Sequence, residues 1–253
     1  MNDKTDISVI MPALNEAKNI ELAVKNSLAA FSEFGLSGEV IVINDGSRDA
    51  TGDIVLGLAK ADARVRLITH EKPQGIGASF WDGEAAARGN SVVMLPGDNE
   101  NDPVEIFRYY RVLEQVDIVI PFIFNKQARS LFRNGLSFAY RFIINTTFLV
   151  NFNYTNGTVL YRKSVLDTLD FHSTSFFFQT DILIRLVRNG YLFAEVPYRL
   201  GIRKEGVSKA VTFPSLLQVI KGYSRLVRDQ YWRKHPAEHY PDDSQTLKRR
   251  TNP

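Results

Sequence analysis

The sequence predicts a single α/β domain built on a mixed, mostly parallel sheet with helices on both faces. Three observations carry that prediction. Short apolar runs alternate with amphipathic stretches through the first half of the chain, the pattern of repeated strand–helix units. The runs end again and again in Pro, Gly, Asn or Asp, residues that turn a strand into the start of a helix. The 253 residues are 44% hydrophobic and 23% charged, an ordinary globular mix, and no linker or internal repeat divides them.

The elements follow in order. Residues 7–11 are an apolar run, broken by Pro12 and Asn15. Residues 19–34 have helical spacing through Ile20, Ala23, Leu28 and Phe31. The run 40–43 is a buried strand of Val and Ile; Gly46 permits a sharp turn after it, and Ser47, Asp49 and Thr51 are helix-start residues before a helix over 54–61. A strand over 65–69 leads into the turn Gln74-Gly75-Ile76-Gly77 and a helix over 80–88. A strand over 92–95 ends in Pro96-Gly97-Asp98, and a helix over 104–116 and a strand over 117–122 follow. The second half is less regular: a long, largely apolar helix over 128–150, a strand over 157–161, a helix over 177–188, a strand over 192–196 and a loop over 197–209. Residues 1–212 form the main domain, 213–235 a basic amphipathic helix, and the polar, Pro-containing stretch 236–253 reads as a disordered tail.

Composition narrows the chemistry. The chain has no cysteine, which excludes disulfides, thiolate metal sites and thiol catalysis. Residues 1–10 do not read as a signal peptide, and no apolar stretch reaches the length of a membrane span. A cytoplasmic protein is expected. The net charge of +3 is unevenly placed: residues 201–253 hold eleven Lys or Arg and five Asp or Glu, so that segment carries +6 and the remainder −3. From Ile118 to Leu166 there is no acidic residue, while Lys126, Arg129, Arg133, Arg141, Arg162, Lys163 and ten aromatic residues fall there. Such a surface suits an anionic partner with an apolar part; the same pattern also fits a buried helix whose basic side chains reach outward.

Four clusters hold the polar chemistry: Pro12-Ala13-Leu14-Asn15-Glu16 after the first strand, Asp45 after the second, the run 96–103 after the fourth, and the run 203–209. The first three follow strands that lie side by side in such a sheet, so their side chains converge at its carboxyl edge, where open α/β sheets bind ligands. Carboxylates near Lys and Arg suit a metal–diphosphate ligand. No G-x-G-x-x-G follows the first strand, which argues against a dinucleotide oxidoreductase.

In order and spacing, these residues resemble family 2 glycosyltransferases of the GT-A (Rossmann-like) fold, and in particular the dolichol-phosphate mannose synthase branch. The residues that carry the resemblance are PALNE at 12–16, NDGSRDAT at 44–51, PGDNENDP at 96–103, Thr155-Asn156-Gly157, DILIRLVRNGYLFAEVP at 181–197 and RKEGVSK at 203–209. The resemblance implies a nucleotide-diphosphate sugar as donor and a divalent cation, Mg²⁺ or Mn²⁺. Pro12, Ala13, Asn15, Glu16, Asp45 and Gly75 would lie on the donor, with Asp45 near the base. Asp98 and Glu100 would hold the metal. Arg203 and Lys209 would meet the donor diphosphate or the acceptor phosphate, and Ser208 would help fix their loop. Loss of Asp45 would then cost donor affinity and little stability. The first carboxylate of the family's D-x-D is replaced by Pro96, which offers no side-chain ligand, and Glu100 stands where the family often has Gln.

The branch implies transfer to a polyprenyl phosphate, whose phosphate needs no general base because its second pKa is about 6. An anionic membrane surface would be the other partner, and the protein would sit peripherally at the inner face of a membrane. A nucleic-acid partner is not expected, and the oligomeric state is not legible. Two alternatives stay open. One is transfer to a saccharide hydroxyl in surface-polysaccharide assembly, which needs a base; Asp181 is the nearest candidate but fits a structural role on its helix. The other, motivated by Pro96, is a catalytically weakened nucleotide-binding or scaffold protein.

Overall fold

The computed structural model describes residues 5–125, 131–155, 157–199, 213–233 and 239–251. Seven strands, β1 (Ile7–Ala13), β2 (Gly38–Asn44), β3 (Val65–Thr69), β4 (Ser91–Met94), β5 (Ile118–Ile123), β6 (Leu160–Arg162) and β7 (Phe193–Tyr198), form one sheet in the order β3-β2-β1-β4-β6-β5-β7. Pairs within β3-β2-β1-β4 and the pair β5-β7 are parallel, and β6 runs antiparallel to both its neighbours. The helices are α1 (Ile20–Phe34), α2 (Thr51–Ala61), α3 (Ile76–Ala86), α4 (Pro103–Phe107), α5 (Leu131–Phe148), α6 (Lys163–Leu166), α7 (Phe178–Arg188), α8 (Phe213–Trp232) and α9 (Gln245–Thr251).

The period of two along the central strands makes two cores. Val9, Met11, Val40 and Val42 join Ile20, Val24 and Phe31 of α1 and Val55 of α2. Ile10, Ile41 and Ile43 point the other way, to Phe80 and Trp81 of α3 and Ile182 and Leu186 of α7. All seven residues of β2 are buried, as a central parallel strand covered on both faces requires.

Several boundaries differ from the sequence reading for identifiable reasons. The helix expected over 104–116 splits. Asp102 caps α4 by accepting a hydrogen bond from the Val104 amide (3.0 Å), with Pro103 in the first turn. The chain then tightens to a 3₁₀ turn at Tyr110–Glu114, where the Tyr110 hydroxyl donates to the Asp6 carbonyl (3.2 Å). β7 runs through Pro197 because it is an edge strand, where a missing donor costs no ladder bond.

The expectation of a disordered tail is wrong for residues 239–251. Asp117, fully buried at the start of β5, accepts hydrogen bonds from the amides of Gln245 (2.7 Å) and Thr246 (3.0 Å), so it caps α9 from elsewhere in the chain. Tyr240 is 8% exposed and donates to the Asn189 carbonyl (2.7 Å). The polar composition of the tail misled because its anchors are hydrogen bonds to distant partners.

The acid-free stretch is corrected in the same way. Arg162 pairs with Asp117 (3.1 Å), and Lys163 pairs with Glu84 (2.8 Å) and Asp167 (3.0 Å), so these two bases are structural. Lys126 and Arg129 lie outside the described residues.

Asp117→Ala removes the α9 cap and leaves Arg162 without its buried partner. Loss of one member of a buried pair typically costs about 3–5 kcal/mol. A urea titration of the variant should show a stability loss of about 3 kcal/mol or more; an unchanged midpoint would mean the tail contributes nothing to the fold.

Candidate active site

The site is built around the carboxyl end of β1. Its last carbonyls serve both neighbours: Pro12 accepts from the Gly97 amide (2.9 Å) beyond β4, and Ala13 accepts from the Asp45 amide (2.9 Å) beyond β2. Three strand ends are thereby tied at one point. The loops above are stitched further. The Asn15 amide donates to Ser47 Oγ (3.0 Å), the Arg48 amide to Asn15 Oδ1 (2.9 Å), and the Glu16 amide to Thr51 Oγ1 (2.8 Å). Asn15 has φ 58°, a left-handed conformation that Asn tolerates. Its side-chain oxygen is thus a loop stitch. Glu16 accepts from the Asn19 side chain (2.9 Å).

Asp45 is 5% exposed, and its carboxylate organises the turn between β3 and α3. Oδ1 accepts from the Gln74 amide (2.7 Å), Oδ2 accepts from the Gly75 amide (2.9 Å), and His70 Nδ1 lies 2.7 Å from Oδ1. Burial pushes the Asp45 carboxyl up, but the Gln74 amide, His70 and the Gly75 amide outweigh it and hold the group below its ordinary value. With about four acceptor positions on a carboxylate, Oδ2 keeps room for one more donor. Gly75 has φ 95°, which a side chain would strain.

His70 was missed by sequence reasoning. Its Nε2 lies 3.0 Å from Asp82 Oδ2, so both ring nitrogens can donate at once only as imidazolium. Register was the available signal. Asn44 pairs with Thr69 in the parallel ladder, so the next positions, 45 and 70, fall side by side.

Asp98 and Glu100 follow β4. The Glu100 amide donates to Asp98 Oδ1 (3.1 Å), and the Asn26 side chain donates to Asn99 Oδ1 (3.0 Å). Gly97 favours close packing: a Cβ there would stand 2.6 Å from Ile20 Cδ1 and 3.2 Å from Ala13 Cβ, so the Ile20 side chain would have to shift. The oxygen donors at this corner suit a hard divalent cation. Among the described residues, no three His, Cys, Asp or Glu side chains gather to hold a metal. Asp98 and Glu100 therefore fit a cation only as part of its shell, which phosphate oxygens of a ligand would complete. Pro12, Ala13, Asn15, Glu16, Asp45, Gly75, Asp98 and Glu100 are thus placed on joined loops at one edge, while Arg203, Ser208 and Lys209 lie outside the described residues.

Comparison with known proteins places this geometry. The model of glycosyl transferase family 2 matches residues 8–170, more than half of the chain. The chain belongs to glycosyl transferase family 2. Among similar curated proteins, the undecaprenyl-phosphate 4-deoxy-4-formamido-L-arabinose transferases of Salmonella paratyphi A and Salmonella dublin are each 26% identical over 165 residues, covering 64% of this chain and 50% of theirs. The chain therefore spans about half the length of these relatives. Their name agrees with the branch that the motifs resemble. Among solved structures, glucosyl-3-phosphoglycerate synthase from Mycobacterium tuberculosis in complex with uridine diphosphate has a TM-score of 0.66 at 22% identity, covering 88% of this chain and 80% of that one. A further "Mycobacterial Protein" has a TM-score of 0.67 at 21% identity, covering 88% and 75%. The fold of this family 2 member is GT-A.

The geometry corrects the expectation that Asp45 can be removed at little structural cost. Asp45→Ala strands two amides and His70, and about 1–3 kcal/mol of stability should go with it, read as a lowered thermal midpoint. The folded-state pKa lies below the ordinary 3.8, so the carboxylate's contribution is present above that value and fades as pH falls through the folded one. Asp45→Asn should therefore flatten the acid limb of the stability curve below about pH 4; an unchanged limb would remove Asp45 from the account.

Proposed function

We propose that this protein transfers a sugar from a nucleotide-diphosphate sugar to a polyprenyl phosphate at a membrane surface. Family membership and the joined loops at the end of β1 support the donor side. Asp98 and Glu100 would hold Mg²⁺ or Mn²⁺, which when bound supplies positive charge to the donor diphosphate. Arg203 and Lys209 would add to that neutralisation, with Ser208 fixing their loop. Oδ2 of Asp45 would accept a donor N–H from the base. An acceptor phosphate oxygen would attack the sugar C1 as its bond to the nucleotide diphosphate breaks. That oxygen is already ionised and needs no base.

Exposed apolar side chains on two neighbouring helices carry the lipid reading. Leu136, Phe138, Phe142 and Ile143 on α5 and Leu216, Leu217, Ile220 and Trp232 on α8 are exposed, Phe142 by 61% and Trp232 by 75%. The two helices meet where Thr147 Oγ1 and the Tyr223 hydroxyl bond at 2.8 Å. Lys221, Arg225 and Arg228 stand exposed on α8 beside these apolar residues. Apolar side chains with neighbouring cations suit an anionic bilayer interface. Among the described residues no helix is long and apolar enough to cross a membrane. Asp181, the base candidate for a saccharide-hydroxyl acceptor, is engaged by Arg185. It is 2% exposed, and Arg185 Nε and Nη2 contact its two oxygens at 2.8 and 3.3 Å. Burial raises its pKa and Arg185 partly offsets that.

Asp98→Ala should abolish transfer and metal-dependent donor binding, and Glu100→Gln should weaken the Mg²⁺ or Mn²⁺ dependence less. The assay is release of nucleotide diphosphate from a panel of nucleotide sugars with a short polyprenyl phosphate. Wild-type turnover by Asp98→Ala would overturn the metal assignment.

The membrane face is tested by co-sedimentation with liposomes. The protein should bind anionic vesicles and be partly released by high salt. Phe138→Ser combined with Phe142→Ser should weaken binding about tenfold or more, since each buried ring contributes on the order of 1.5–3 kcal/mol. Indifference of the wild type to anionic vesicles at low salt would favour a soluble acceptor.

A further inference from the structure

A cavity of ≈ 320 Å³ opens where α8 crosses the loop 171–175. The helix lies close because Gly222 has no side chain: a Cβ there would meet the Phe177 ring at 2.8 Å. Phe171, His172 and Thr174 line one side, Lys221 and Arg225 the other, and buried Asp181 is also in the lining. Lys221 and Arg225 are one helical turn apart and so share a face.

Cations outnumber carboxylates in the lining of this cavity. Lys221 and Arg225 bring two positive charges against the one carboxylate in the lining, Asp181; Arg185 bridges that carboxylate to Asp229 at 2.8 Å each, and the Arg225 charge also acts on it. Neither Lys221 nor Arg225 makes an ion pair among the described residues. The Arg225 guanidinium is instead set over the Phe171 ring, 5.0 Å from its centroid, which orients it. Two cations and neighbouring hydroxyls call for a compact anion with several acceptor oxygens.

The position of the cavity selects among anions. A Cβ on Gly77 would stand 2.6 Å from the Thr174 carbonyl carbon and oxygen, and one on Gly75 would stand 4.0 Å from that oxygen. Gly75 and Gly77 belong to the turn that Asp45 holds, so Thr174 separates the cavity from the candidate donor corner. Ile220, 51% exposed, lies next to Lys221 on α8. The cavity thus lies against the donor corner on one side and is bounded by α8 on the other.

We propose that this cavity receives the phosphate monoester of the acceptor, with Lys221 and Arg225 as its counter-charges and Thr174 as the wall shared with the donor corner. The inference rests on the reading of the protein as a glycosyltransferase with a phosphate acceptor. The phosphate could arrive on a polyprenyl lipid or on a small soluble molecule, since the recognising chemistry is the same.

Trp81 provides the readout. Its ring stacks on His172 with centroids 3.9 Å apart and planes 7° apart, and the chain holds one other tryptophan, Trp232. In the full chain carrying Trp232→Phe, Trp81 fluorescence is titrated with inorganic phosphate, a short polyprenyl monophosphate and glycerol phosphate. A saturable change with phosphate is expected, weakened about tenfold or more by Lys221→Gln with Arg225→Gln, while uridine diphosphate affinity and thermal midpoint stay the same. No saturable change, or one that the double variant leaves intact, overturns the site. Tighter binding of the polyprenyl phosphate than of glycerol phosphate assigns the lipid source, and the reverse order assigns the soluble one; both uphold the site. Transfer whose acceptor KM is unaffected by the double variant removes the site and keeps the function. Phosphate binding without transfer from any nucleotide sugar keeps the site and removes the function.

Discussion

The structure depends on the carboxyl end of β1. A parallel strand between two parallel neighbours has carbonyls to offer on both sides, and here Pro12 and Ala13 give theirs to Gly97 and Asp45. Backbone, not side chain, therefore sets the spacing between the loop after β2 and the loop after β4. Side chains add only the second layer: Asn15, Ser47 and Thr51 stitch β1 to β2, and Asp45 reaches across to the turn after β3. A ligand at this edge meets loops whose positions are already fixed by strand pairing, which lowers the ordering cost of binding.

Much of this was legible from residue order. Uniform apolar runs gave the central strands, and polar residues after them marked the edge where the site lies. What escaped was whatever depended on a partner far along the chain. His70 sits beside Asp45 only through ladder register. Asp117 looked like a strand-start residue until α9 was found on it. Arg162 and Lys163 read as surface cations because their acids, Asp117 and Glu84, lie outside the acid-free window. Gly97 permits close approach, as its residue type suggests, but what approaches is Ile20 of the core.

The same distinction separates the two groups of basic residues. Those on β6 and α6 are paired and hold the sheet to its surrounding helices. On α8, Arg228 lies 3.5 Å from Asp229, while exposed Lys221 and Arg225 have no such ion pair among the described residues. Charge counts over a window of sequence sum both kinds. Only the pairing shows which cations remain for a ligand or a surface.

The reach of Asp117 also bears on how the chain is made. Its partners in α9 lie 128 and 129 residues downstream. At about 5–20 residues per second, a ribosome needs on the order of 6–26 s to supply them after Asp117 itself appears. The strands β6 and β7, sheet neighbours of β5, also follow it, and once they have paired with β5 its buried carboxylate still lacks the amides that satisfy it. Arg162 becomes available earlier and can hold the charge meanwhile. Closure of this end of the sheet therefore waits for residues made well after β5, and the nascent chain carries an unfinished polar corner until α9 arrives.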